Sequence, residues 1–185
     1  MDGLQMNLPN ILTILRIVIL IPFVALFFVQ ESWAPLTASI IFVIACITDY
    51  FDGYLARTLG QSSNLGRFLD PIADKLLIGT TVLMLAGTGR IQGVTLIPGV
   101  IILCREILVS GLREFLMEIQ VSLPVSRLSK WKTAIQMGAL GCLVAAPYPH
   151  LLFEIGLALF WMAAGLTLIT GYDYLKSSLK YLNQR

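Results

Sequence analysis

The chain has 185 residues, of which 57% are hydrophobic and 13% charged, and a water-soluble domain of this size lacks the polar surface to cover such a composition. Mean hydropathy is +0.81 and net charge only +2, so the expected solvent is a bilayer.

A transmembrane helix needs roughly 20 mostly apolar residues. Six such stretches lie at about 10–30, 34–57, 71–88, 95–117, 131–147 and 151–176. The expected fold is therefore all-α, a polytopic membrane protein with six transmembrane helices in one domain over residues 1–185. The first stretch reads as a retained helix: no basic region precedes it, Arg16 interrupts it, and no small-x-small cleavage site follows before Gln30 and Glu31. Asn7, Pro9 and Asn10 look like its start, since proline suits a first turn and asparagine can cap free N–H groups.

Short connections are expected outside at Gln30 to Pro35, Gly87 to Gly93 and Pro147 to His150, and longer ones inside at Thr58 to Asp70 and Met117 to Lys130. The cations sort by side. With a cytoplasmic N-terminus, the inner ends and loops hold Arg57, Arg67, Lys75, Arg105, Arg113, Arg127, Lys130, Lys132, Lys176, Lys180 and Arg185, with Arg16 deep in the first helix and only Arg90 outward. That bias places both termini in the cytoplasm. Trp33, Tyr148 and Tyr172 fall near helix ends, where such rings anchor at the headgroups. They are not a base-stacking site, and no nucleic-acid partner is expected. Cys46, Cys104 and Cys142 are widely spaced in apolar segments, which points to packing rather than disulfides or a thiolate metal site. His150 reads as an interfacial loop residue.

The chemistry is concentrated at the inner ends of the second and third stretches. A charge at membrane depth is costly, on the order of 2.5–3.5 kcal/mol at a helix centre, and marks function by default. Asp49 and Asp52 are three apart and Asp70 and Asp74 four apart, so each pair shares a helix face. A cytoplasmic loop joins the two helices, so all four carboxylates can converge. Four carboxylates in a small volume repel one another unless cations balance them. Two divalent ions would do so, and an all-oxygen donor set favours Mg²⁺ or Mn²⁺. Two such ions about 3.5–4 Å apart form the clamp used in phosphoryl displacement. Gly53, Ala56 and Gly66 remove bulk beside the aspartates, either to open a pocket or to let helices pack closely.

Residues 49–74 read D-x2-D-G-x2-A-R-x8-G-x3-D-x3-D, which resembles the full signature of the CDP-alcohol phosphotransferase family. That resemblance implies transfer of a phosphatidyl group from CDP-diacylglycerol to an alcohol, with release of CMP. It implies that Asp49, Asp52, Asp70 and Asp74 hold two divalent cations, Mg²⁺ or Mn²⁺, on the donor, with Asp74 also the base for the acceptor hydroxyl. Gly53, Ala56 and Gly66 would line the cytidine nucleotide pocket, with Arg57 beside a phosphate or, equally, serving as a positive-inside anchor. A homodimer in the bacterial cytoplasmic membrane, with its active site on the cytoplasmic side, also follows from the resemblance.

The signature does not choose the acceptor. Arg105, Arg113, Arg127, Lys130 and Lys132 cluster at the inner ends of helices 4 and 5, and Arg105 and Arg113, eight apart, share a face. Some are expected as orientation anchors. An arginine inside a helix, like Arg105, is better explained by a carboxylate or phosphate partner, and Glu106 and Glu114 are candidates for a purely structural pair. A basic pocket favours an anionic acceptor. The segments NLPNILTILR, CREILVSGLREF and SRLSKWKTAIQM resemble those of the phosphatidylglycerophosphate synthases within that family, which implies glycerol 3-phosphate. On that resemblance Arg113, Lys130 and Lys132, with Arg105 behind them, grip the acceptor phosphate, and Asn10, Thr13 and Arg16 close the pocket from helix 1. Inositol phosphate or serine remain alternative acceptors, and a carboxylate-lined cation transporter is the reading from another class.

Overall fold

The computed structural model describes residues 8–58, 64–121, 127–146 and 150–182. Among these residues every regular element is helical. The helices are α1 (Leu8–Leu26), α2 (Ala34–Thr58), α3 (Asn64–Gly87), α4 (Ile97–Glu118), preceded by a 3-10 turn at Gly93–Leu96, α5 (Arg127–Ala145) and α6 (His150–Leu182). Asn7, Tyr148 and Arg185, assigned above to a helix start, an anchor and the inner charge bias, lie outside the described residues.

Six apolar stretches thus become six helices, with four shifts in their bounds, one of them the start of α5 at Arg127 instead of 131. α1 stops at Leu26, where Phe27 and Phe28 donate to Val24 and Ala25 and tighten the last turn. α3 begins at Asn64, not 71, and runs through Pro71. An interior proline forfeits one backbone hydrogen bond, and the helix continues on both sides of it. Asp70 and Asp74 consequently sit in the helix body rather than at its opening. α6 runs on to Leu182 and carries Lys176 and Lys180 on its final turns. With 33 residues it measures about 50 Å at 1.5 Å per residue, well over the roughly 30 Å of a hydrocarbon core.

The segments Gly93–Glu118 and His150–Tyr181 are long and apolar enough to cross a membrane, and Asn10–Leu26 and Ala34–Asp49 are shorter apolar helices. The surface agrees: Ile21, Leu83, Ile107 and Leu151 are each at least 68% exposed, an apolar exterior that water does not tolerate over a whole bundle. Inside, Phe23, Phe42, Leu77, Ile102, Leu140 and Phe160 form one core. α1 packs on α2 and α3, α5 on α2 and α6, and α4 on α6. In lipid such contacts are held by close fit rather than by the hydrophobic effect. Gly156 shows the fit, since a Cβ there would lie 3.1 Å from Cys142 and Leu143 on α5.

At the end opposite the aspartates, Arg90 donates to the Val144 carbonyl at 2.5 Å and lies 5.1 Å from the Phe27 ring centroid. Burial lowers its pKa from the ordinary arginine value, and the carbonyl and the ring face compensate for lost water. The three cysteines are free, with Cys46 and Cys142 half-buried and Cys104 exposed. His150 is exposed at the first position of α6.

Candidate active site

Asp49, Asp70 and Asp74 line one cavity of about 220 Å³ together with Pro71, Lys75, Arg105, Glu106, Val109, Ser110 and Arg113. The aspartates come from α2 and α3, and the arginines from α4, which also contributes Glu106, so an aspartate wall faces a mainly basic one. α2 also carries Asp52, Gly53, Ala56 and Arg57, whose side chains lie outside the described residues. Gly66 is buried in the first turn of α3.

α1 closes the acidic wall. Asn10, Thr13 and Arg16 recur every three residues on one face and are 1%, 0% and 2% exposed, which is how a polar stripe on an apolar helix must face to avoid lipid. Thr13 donates from Oγ1 to Asp70 Oδ1 at 2.8 Å, and Arg16 is ion-paired with Asp49. Of the helix-1 residues expected to close the pocket, Thr13 and Arg16 are therefore in contact with aspartates of α3 and α2, and Asn10 is buried on the same face. Asp74 is acted on by the carboxylates of Asp49 and Glu106 and by the cations Lys132 and Arg16.

The basic residues separate. Arg105 and Arg113 both line the cavity, as their shared helix face requires. Lys132 is 3% exposed and ion-paired with Glu106 instead of standing in the cavity wall. Lys130 is exposed on the first turn of α5. Arg105 donates from Nη1 to Glu106 at 3.3 Å and from Nη2 to Thr170 of α6 at 3.4 Å. Glu106 is thus a partner of Arg105, whereas Glu114 lies 4.0 Å from Lys75.

Val109 and Ser110 of the wall, and Thr170 and Gly171 behind Arg105, went unnoticed in the sequence. Glu106, Val109, Ser110 and Arg113 fall at i, i+3, i+4 and i+7, one face of a helix, so extending the Arg105 to Arg113 stripe would have found the middle two. Thr170 and Gly171 carry no such signal, because they reach Arg105 from another helix. A Cβ on Gly171 would lie 3.0 Å from Arg105 Cγ, so a larger residue there would push the arginine stem outward by a few tenths of an ångström.

Carboxylate oxygens on one wall and guanidinium groups on the other suit a polyanionic ligand bound partly through a hard cation. Among the described residues no three His, Cys, Asp or Glu side chains form a ready metal cluster. The donor chemistry fits nonetheless: three aspartates share a cavity, and two of them already engage a guanidinium and a hydroxyl. A divalent cation would bind there by replacing those partners.

The CDP-alcohol phosphatidyltransferase family matches residues 6–169. A protein of Rickettsia felis, a CDP-diacylglycerol--glycerol-3-phosphate 3-phosphatidyltransferase, is 46% identical over 178 residues, covering 95% of this chain and 97% of its own. Proteins of the same name from Salmonella paratyphi A and Shigella flexneri are 40% and 39% identical over 177 residues, covering 95% of this chain and 96% of theirs.

Proposed function

Because the chain belongs to the CDP-alcohol phosphatidyltransferase family, we propose that it is the enzyme that moves a phosphatidyl group from CDP-diacylglycerol to sn-glycerol 3-phosphate, giving phosphatidylglycerophosphate and CMP. The observation that carries this reading is the single cavity in which Asp49, Asp70 and Asp74 face Arg105 and Arg113. Relatives of 39–46% identity whose names state this reaction support it.

In the mechanism proposed, the acceptor hydroxyl attacks the phosphatidyl phosphorus, a new P–O bond forms, and the P–O bond to CMP breaks. Asp74 takes the hydroxyl proton. Asp49, Asp52, Asp70 and Asp74 would hold two divalent cations, Mg²⁺ or Mn²⁺. When bound, these ions neutralise the donor pyrophosphate and stabilise charge on the leaving group. Gly53, Ala56 and Gly66 leave room for the cytidine nucleotide, and Arg57 meets a donor phosphate. Arg105 and Arg113 grip the acceptor phosphate, Lys132 supports them from behind Glu106, and Lys130 adds to the field drawing an anion inward. Asn10, Thr13 and Arg16 exclude lipid and hold Asp49 and Asp70 in place.

The inner-side excess of Lys and Arg supports an orientation with both termini cytoplasmic and an active site on the cytoplasmic face of a bacterial inner membrane, where the soluble acceptor is found, and the six helices and the family match over residues 6–169 support six crossings in one domain. A homodimer is part of the same reading. Purified enzyme offered CDP-diacylglycerol with glycerol 3-phosphate, inositol phosphate or serine tests the acceptor. Release of CMP with glycerol 3-phosphate alone is expected, and faster release with either other alcohol would refute the assignment.

A further inference from the structure

We propose that Glu106 is a positioning residue for the acceptor end of the cavity: its carboxylate holds Arg105 and Lys132 in a fixed arrangement that an anionic acceptor then meets. The inference rests on the reading of the basic wall as the acceptor site. A carboxylate in the wall of an anion site needs a reason, because it repels the ligand. Glu106 lines the cavity beside Arg105 and Arg113, and its Oε1 accepts from both Lys132 Nζ and Arg105 Nη1. Lys132 has left water almost entirely, and a buried ammonium requires an anion close by. Without Glu106, two cations from α4 and α5 would face each other at the same spot and move apart.

The rest of the geometry shows what is being held. Arg105 is restrained on its far side by Thr170 Oγ1, which in turn donates to the Leu166 carbonyl at 2.8 Å. Its stem lies against Gly171, and its Nε is buried with no partner among the described residues, so the guanidinium keeps its orientation through Glu106 and Thr170. Three helices are thereby linked: Glu106 of α4 bonds Lys132 of α5, and its neighbour Arg105 bonds Thr170 of α6. A side chain that only stabilised the bundle would affect both substrates alike, whereas a positioning role is confined to the acceptor.

The test is a pair of saturation curves, one per substrate, read by CMP release from the purified full-length enzyme. Glu106→Gln keeps the shape and one acceptor oxygen but loses the charge. It is expected to raise the KM for glycerol 3-phosphate about tenfold, the size of one charge-assisted hydrogen bond, while the KM for CDP-diacylglycerol changes less than about twofold. Adding Lys132→Met to Glu106→Gln should cost little more, since Lys132 acts through the lost carboxylate. An unchanged glycerol 3-phosphate curve, or equal rises for both substrates, overturns the proposal. Arg113→Ala separates the two levels. If it too leaves the glycerol 3-phosphate curve unchanged, the acceptor-site reading fails; if it shifts the curve and Glu106→Gln does not, only the positioning role fails. Should Glu106→Gln not yield folded enzyme, Thr170→Val decides, with a rise of about threefold expected for glycerol 3-phosphate alone and no rise overturning the proposal.

Discussion

Arg16 of α1 and Asp49 of α2 form an ion pair that is closed on one side and open on the other, with side chains 1% and 44% exposed. Because the aspartate is well solvated, the pair contributes on the order of 1 kcal/mol. Replacing Arg16 with Met should therefore lower the Tm of chelator-treated enzyme by a few degrees, roughly in line with that energy. The same variant should gain more from millimolar Mg²⁺ than the parent, because the cation no longer competes with a guanidinium for Asp49. Thermal melts with and without Mg²⁺ measure both. Equal cation-induced shifts would show that Arg16 and the cation do not share the carboxylate.

Activity should vanish on thorough chelation and return with Mg²⁺ or Mn²⁺, since clustered carboxylates cannot receive a pyrophosphate without charge compensation. Within the cluster, Asp49→Asn is expected to weaken donor binding. Asp74→Asn should leave binding within a few-fold and lower kcat by about 10²–10⁴, the usual contribution of a general base. Equal losses of donor binding in both variants would reduce Asp74 to a further ligand.

The aspartate pattern and the apolar runs were legible because both are periodic along one helix. Asn10, Thr13 and Arg16 were legible for the same reason, and all three are buried. What the sequence could not show is partnership between helices. Glu106 was visible as a neighbour of Arg105, but its bond to Lys132, 26 positions away, depends on how α4 meets α5. The start of α3 was misplaced because Arg67 and the polar residues before it break the apolar run, whereas the backbone needs no apolar side chains to stay helical once α3 has formed.

Arg90, the one cation expected on the outer side, is a structural contact. Its removal strips the Val144 carbonyl and the Phe27 ring of their partner. Arg90→Ala should destabilise the protein by about 1–3 kcal/mol and leave both KM values unchanged below the new Tm. Melts and kinetics on the same preparation check it, and a selective change in one KM would contradict the structural role.

Arg113→Ala tests whether the basic wall binds substrate or merely sets orientation. Arg113 lines the cavity with Arg105 while remaining exposed, so its loss leaves no buried partner stranded and should not impair folding. A contact to the acceptor phosphate is a charge-assisted hydrogen bond of about 1.5–3 kcal/mol, a roughly ten- to hundredfold weakening of glycerol 3-phosphate binding. An orientation anchor behaves otherwise, because topology follows the summed inner-side bias and tolerates the loss of one charge. Lys180→Ala, which removes an exposed cation near the end of α6, is the matched control. The two variants should insert alike and bind CDP-diacylglycerol alike, and differ only in the glycerol 3-phosphate curve. If those curves coincide, the arginines of α4 are anchors, and the physical case for a phosphorylated acceptor falls with them.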